Sequence, residues 1–333
     1  MSNQRLLVLI LPLLLVTMLV SLSIGPVDLV WSQIWSAGST DAAVFWELRM
    51  PRILLAALSG ALLALTGAAT QTLFRNPLAD PSLIGVSAGA ALATVSIIVL
   101  GASFLQSSPL LARFGVPLAS FIGGVLTTLL VIRMASRYRG ISMTAVLLIG
   151  LAINAIVGAC ISALKYVADT QALRDASFWL MGRFSDASWW QVGILTFVLM
   201  MTLALLQPRA QRLNIWLLGA EQAQLLGVNI ARTRWLLIIS ASVGVGVVVA
   251  FAGLIGFVGL MVPHLVRLWS GPDNRRLLLQ STLVGALLMV AADALSRALV
   301  SPSELPVGIL TALAGGPFFL LLIHYRYREV GHA

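Results

Sequence analysis

The chain has 333 residues, 59% of them hydrophobic and only 10% charged, and its mean hydropathy is +0.98. A soluble domain carries about 25% charged residues, so burial in a private core cannot absorb this apolar surface, and a polytopic membrane protein is expected. The net charge of +9 comes from twenty arginines and one lysine against twelve acids; with no soluble basic face to carry it, it reads as a topology signal and excludes nucleic acid as a partner.

Uncharged runs mark the predicted elements at 6–24, 53–74, 81–112, 114–132, 141–164, 187–208, 235–266, 277–292 and 305–325. The first follows Arg5. Ser21-Leu22-Ser23 would pass as a signal-peptide cleavage site, but the apolar stretch is long for one, and a retained first helix is expected. Glu47-Leu48-Arg49-Met50-Pro51-Arg52 opens the second helix. Arg49 and Arg52 are three apart and share a helical face, with Pro51 suited to a first turn. From the residues alone they fit lipid phosphate or a structural ion pair. The string Arg75-Asn76-Pro77-Leu78-Ala79-Asp80-Pro81-Ser82-Leu83-Ile84-Gly85-Val86-Ser87-Ala88-Gly89 follows as a polar hairpin. Its prolines bias the preceding residues away from helix, and Gly85-x-x-x-Gly89 offers a small packing face. Run 81–112 closes in a loop at Gln106-Ser107-Ser108-Pro109. Gly140-Ile141-Ser142-Met143-Thr144 opens the fifth helix, where Ser142 suits a helix cap. Cys160 is alone in an apolar run, so no intrachain disulfide is possible and a packing role is expected.

The loop 207–234 holds two short helical stretches. One covers Asn214 to Leu218 and the other begins at Glu221; Gly219 interrupts them and Gly227 ends the second. Leu225 and Leu226 are expected to face the rest of the chain, with Glu221, Gln222 and Gln224 toward water or a partner. From pattern alone this is equally an ordinary interfacial helix. Run 235–266 would be about 48 Å long as one helix at roughly 1.5 Å per residue, against a hydrocarbon core of about 30 Å. Its centre, Gly253-Leu254-Ile255-Gly256-Phe257-Val258-Gly259, is the expected break. Dividing it there gives ten helices. With both termini cytoplasmic, 14 of the 21 basic residues then fall inside and 7 outside, whereas nine helices give 10 and 11 and erase the bias.

A phosphate-binding loop needs a lysine after glycine, and the only lysine is Lys165 in Ala163-Leu164-Lys165-Tyr166. The uncharged runs hold no proton-relay residue, no His/Cys/Glu cluster has metal-ligand spacing, and no nucleophile has a base at recognisable spacing. The energy for any pumping would have to come from a partner, and no permanently bound cofactor is expected.

The string 75–89 resembles that of the permease subunits of bacterial ATP-driven importers for vitamin B12, ferric siderophores and haem, and the likeness runs through nearly the whole chain. The resemblance implies an all-α, multi-pass inner-membrane protein with one permease domain over 1–333. Its partners would be a second copy of itself, two ATPase subunits and a periplasmic binding protein. Arg49 and Arg52, with Arg297 of Asp293-Ala294-Leu295-Ser296-Arg297, would receive glutamates of the binding protein. Leu218, Gly219, Ala220, Glu221, Leu225, Leu226 and Gly227, within 213–228, would dock on the ATPase. Ser142, Met143 and Thr144 would form an inner gate; the family often has two small hydroxyl residues there, and Met143 makes this gate bulkier. Gly253 through His264 is part of the general family pattern, so His264 is expected to be structural or coupling and not a haem ligand. Residues 148–155 and 171–182 look most like the haemin permeases, so haem is the expected substrate, delivered by a haem-binding protein; ferric siderophore and then cobalamin follow. Arg174 could meet a haem propionate or pair with Asp175 or Asp169. A lipid-modifying membrane enzyme, and a resident haem protein, are the readings from other classes; the first lacks a polar catalytic cluster and the second lacks histidines in the bilayer.

Overall fold

The computed structural model describes residues 3–25, 27–36, 38–136, 143–300 and 303–330, and among them all regular structure is helical. The main helices are α1 (Asn3–Ser23), α2 (Met50–Phe74), α3 (Val86–Leu100), α4 (Pro109–Ala135), α5 (Met143–Val167), α6 (Thr170–Leu180), α7 (Trp189–Leu206), α8 (Ala210–Trp216), α9 (Ala220–Leu225), α10 (Ile230–Ala252), α11 (Val258–Ser270), α12 (Asn274–Ala298) and α13 (Val307–Val330). Six spans among the described residues are long and apolar enough to cross a membrane, those containing α2, α4, α5, α7, α10 and α12.

The core forms around α2, which packs against α12, α10, α11 and α7. Its sequence explains its place. Ser59, Gly60, Ala61, Ala64, Gly67, Ala68 and Ala69 are all buried and let neighbouring backbones come close. The approach to α12 is mutual. A Cβ on Gly60 would run into the Gly285 carbonyl, and one on Gly285 would run into the Gly60 carbonyl, so neither position admits a side chain. α2 ends at Arg75, whose left-handed backbone (φ 51°) turns its N–H back onto the Gln71 and Thr72 carbonyls.

The hairpin after α2 is held by its own side chains. Asn76 Oδ1 accepts from the Leu78 N–H at 3.0 Å, and Asp80 Oδ1 from the Ser82 N–H at 2.8 Å. A 3₁₀ turn over Pro81–Ile84 then feeds α3. Gly85 lies against Thr127 and Val131 and Gly89 against Gly123 and Thr127, so the small face of α3 is spent on α4. The expected loop at 106–109 is shorter, because a one-turn helix covers Ala102–Gln106 and α4 already starts at Pro109. Arg113 is therefore inside a helix.

The 235–266 run is divided, as its glycines require. α10 stops at Ala252, Gly253 is at φ 71° and Phe257 at φ 65°, and α11 starts at Val258. A bulky residue with positive φ is uncommon and marks a backbone held by its surroundings.

Candidate functional site

The two ends of the bundle carry most of its polar side chains. At one end the first turn of α2 and the last turns of α12 bring four charges together. Arg52 donates to Asp293 Oδ1 through Nε and Nη2, both at 2.9 Å, and to both Glu304 oxygens through Nη1 at 2.8 and 2.9 Å. Arg297, one helical turn after Asp293, donates to Asp293 Oδ2 at 3.2 Å and to Ser21 Oγ at 2.6 Å, and also reaches the Ile24 carbonyl. Arg49 donates to the Leu22 and Val27 carbonyls. Asp293 is 1% exposed, Arg49 and Arg297 each 6%. The network ties the end of α1 and the segment after it to α2 and α12. Arg52 is the arginine turned toward the rim, and Glu304 covers that face of it.

The opposite end is held by amides. Asn214 on α8 donates to Asp273 Oδ1 at 2.6 Å, while its Oδ1 accepts from the Asn274 backbone and side chain at 2.8 and 2.9 Å. Asn274 Oδ1 accepts from the Thr72 hydroxyl at 3.0 Å. A continuous hydrogen-bonded path thus joins α8 to the start of α12 and the end of α2. Asp273 caps α12 by accepting from the Arg275 N–H at 3.0 Å. The Asn214 amide, then that N–H and the Arg275 and Arg276 charges, hold the Asp273 carboxyl below the usual carboxylate range against a partial desolvation.

α8 and α9 meet at Gly219, whose φ of 118° is closed to other residues without strain, and α9 is followed by Gly227 at φ 79°. The expectation that Leu225 and Leu226 face the rest of the chain is corrected. They are 88% and 58% exposed, and Leu218 is 62% exposed. A six-residue helix has room for one inward contact, and Ala223, fully buried, supplies it. Glu221, Gln222 and Gln224 are exposed beside the leucines, Gly219 is buried and Ala220 half-buried. This end therefore offers an apolar knob rimmed by polar side chains.

Between the ends, the hairpin 80–87 and the break 254–260 meet Leu63 and Val245 around a cavity of about 370 Å³. Asp80, Ser82 and Ser87 give it a polar side. Unwound backbone is tolerated at such depth only where protein or a cavity surrounds it.

The FecCD transport family model matches residues 13–325. This chain belongs to that family. It is 41% identical over 319 residues to the hemin transport system permease protein HmuU of Yersinia pestis, covering 95% of this chain and 94% of the relative. It is 43% identical over 291 residues to the cobalamin import system permease protein BtuC of Halobacterium salinarum, covering 87% and 75%. A metal-chelate type ABC transporter solved in an inward-facing conformation superposes with a TM-score of 0.84 at 34% identity, covering 97% of this chain and 99% of that one. The protein is thus an inner-membrane importer permease of the ABC class.

Not all the residues expected to serve this FecCD permease are brought together. Ser142 lies outside the described residues, Met143 opens α5, and Thr144 in the first turn is exposed. Arg174 is exposed on α6 with its guanidinium 5.8 Å from the centre of the Phe178 ring. Neither carboxylate expected beside Arg174 pairs with it: Asp175 accepts from Gln171 at 3.0 Å, and Asp169 caps α6 through the Ala172 N–H. His264 is buried in α11, its ring edge-on to Phe318 at 6.1 Å. Among the described residues no three His, Cys, Asp or Glu side chains are placed to hold a metal ion. Sequence reasoning passed over Asn214, Asp273, Asn274 and Thr72; the one available signal was an Asp-Asn pair immediately before a long apolar run, which is a helix-cap pattern.

Proposed function

We propose that this FecCD permease moves haem from periplasm to cytoplasm, as one of two identical subunits driven by two ATPase chains and supplied by a periplasmic haem-binding protein. The observation that carries the choice of haem is the match to the hemin permease, which extends over nearly all of both chains. The cobalamin relative has a similar identity over a smaller share, so cobalamin, or a ferric siderophore, is the second reading. In this reading the chain crosses the membrane ten times with both termini cytoplasmic; six long apolar spans and three shorter apolar helices support the count, and α11 is taken as the tenth.

In this reading the Arg49–Arg52–Arg297 end is periplasmic and takes the carboxylates of the binding protein. Its three guanidiniums face two internal carboxylates, which leaves the cluster positive, and Arg52 is the member that can exchange partners at the rim. The segment 213–228 docks on the ATPase. Its support is the exposed Leu218, Leu225 and Leu226 beside Glu221, and the glycine hinges at 219 and 227. α5 exposes most of its apolar surface, and Gly158 has open space around it, as a second copy packed there would require. Ser142, Met143 and Thr144 then lie at the inner gate, and Arg174 at the outer mouth meets a propionate. The permease itself hydrolyses nothing, and ATP is used by the partner chains.

Proteoliposomes holding the permease–ATPase complex, with binding protein and ATP inside or outside, test this directly. ATP-dependent accumulation of haem above that of cobalamin and ferric siderophore is expected. Accumulation of cobalamin alone would move the chain to the second reading, and haem uptake driven by a pH gradient without the ATPase would overturn the importer mechanism.

A further inference from the structure

A second concave site lies on the outside of the bundle, apart from the arginine network and from the central cavity. Between α4, α7 and α10 there is a cleft of about 300 Å³ with wholly apolar walls, among them Pro117, Phe121, Ile194 and Val247. Its floor near the arginine end is a chain of edge-to-face rings. Phe114 meets Trp190 at 4.9 Å and Trp190 meets Phe251 at 5.1 Å. The cleft belongs to that end, because the neighbouring Trp189 donates from Nε1 to the Trp46 carbonyl just before α2. Pro117 lies one turn after Arg113 and has no N–H to give the Arg113 carbonyl, which weakens α4 where the cleft opens.

Arg113 stands at the mouth. It is exposed, and its Cζ is 5.5 Å from the ring centres of both Phe114 and Trp190. Among the described residues no carboxylate pairs with it. Stacking on rings uses the face of a guanidinium and leaves its in-plane N–H fork available to an anion. Below the mouth the cleft runs into an exposed apolar wall containing Ile122, Leu126, Phe197 and Met200. A ligand for this site must join an anion to a long alkyl chain, and must approach sideways from the membrane.

We propose that this cleft is a phospholipid site, with one acyl chain seated between Phe121, Ile194 and Val247 and the phosphodiester held by Arg113. Membrane lipid meets both demands of the surface at once: the phosphate answers the cation, and the chain answers dry walls that give a polar solute no hydrogen bond. Tryptophans at this level match the interfacial belt, where headgroups and rings lie side by side.

The test uses the assembled transporter in nanodiscs doped with phosphatidylglycerol carrying a diazirine in mid-chain, with labelled peptides mapped by mass spectrometry. Label on the peptides containing Ile194 and Val247 should exceed label on the exposed wall at Phe197 and Met200 several-fold. Arg113→Gln should lower cleft labelling several-fold without changing labelling of the wall, and Leu118→Trp, which narrows the mouth from an exposed position, should lower it with Arg113 intact. Diacylglycerol bearing the same chain should label the cleft weakly and should not respond to Arg113→Gln. Equal labelling by the two lipids, or indifference to Arg113→Gln, would overturn the site. So would a high-yield disulfide between two copies of Leu118→Cys, which would mean that a second copy of the chain covers the cleft.

Discussion

The two ends of this bundle are fastened by opposite means. At the arginine end, charges are buried: Asp293 is held between Arg52 and Arg297, and guanidiniums fix the turn after α1 by its carbonyls. At the opposite end, neutral amides and one capping carboxylate join α8 to α12 and α2, while leucines are left outside. A buried charge network is rigid, because removing any member strands another charge in low dielectric. An amide path with a glycine hinge beside it permits small rotations. Under the proposed function, the contrast suits a rim that keeps its shape for the binding protein and an opposite face that yields to the ATPase.

The largest effect should come from breaking the rigid end. Asp293→Asn leaves Arg297 and the inner face of Arg52 without their anion and should cost about 3 kcal/mol, the lower range for breaking a buried pair. Arg183→Gln removes only the surface pair with Asp186, 46% and 72% exposed, and should cost at most about 1 kcal/mol. Thermal unfolding of the two purified variants compares them, and equal melting points would abolish the distinction between buried and surface charge.

Next is the yielding end. Gly219→Pro with Glu221→Arg forbids the backbone angle at the hinge and reverses a charge beside the exposed leucines. The variant should stay folded, because its buried contact at Ala223 is untouched, but should lose transport and the response of ATP hydrolysis to loaded binding protein by tenfold or more. Normal haem accumulation by this variant would remove 213–228 from the coupling role.

A smaller effect of opposite sign is expected at Glu304. Its carboxylate occupies Arg52 with two bonds, as an incoming carboxylate would. Glu304→Gln should raise affinity for the binding protein a few-fold at low salt, with the gain fading as salt screens the rim. Binding assays across a salt series should show this; a loss of affinity would mean that Glu304 itself is a contact.

The smallest effect concerns pH at Asp273. Its carboxyl is held below the usual range, so its contribution to stability is complete above about pH 4, the ordinary carboxylate value, and is lost only as pH falls through the lowered one. Melting curves between pH 5 and 8 should therefore be identical for the native chain and for Asp273→Asn in their slope against pH. A native-specific fall between pH 7 and 5 would contradict the cap.

Much of this was legible in the residues. Seven residues with three glycines forced the break between α10 and α11, and Gly219 and Gly227 marked the hinges. The direction of Leu225 and Leu226 was not legible, since a six-residue helix carries too few positions for periodicity to decide its inner face. Nor was the burial of Arg49 and Arg297: Arg49 donates to the Leu22 and Val27 carbonyls, Arg297 to the Ser21 and Ile24 carbonyls besides its Asp293 and Ser21 side-chain partners, and carbonyls have no signature in a sequence. Hydropathy likewise could not rank the helices. The apolar span that includes α2 is mostly buried in the bundle, whereas the comparably apolar α5 is mostly exposed.

The mutual contact of Gly60 and Gly285 has a mechanical meaning. With carbonyl against Cα and nothing between, α2 and α12 cannot slide past one another without backbone collision, and tilting about the contact is resisted by the Thr72–Asn274 bond on one side and the Arg52–Asp293 pair on the other. Gly285 lies 11 residues from Asn274 and 12 from Arg297, arms of about 17 and 18 Å at roughly 1.5 Å per residue. The crossing is a fulcrum near the middle of a balanced beam. A tilt of α12 about it would load the bonds at both tips at once, at nearly equal arms and in opposite directions.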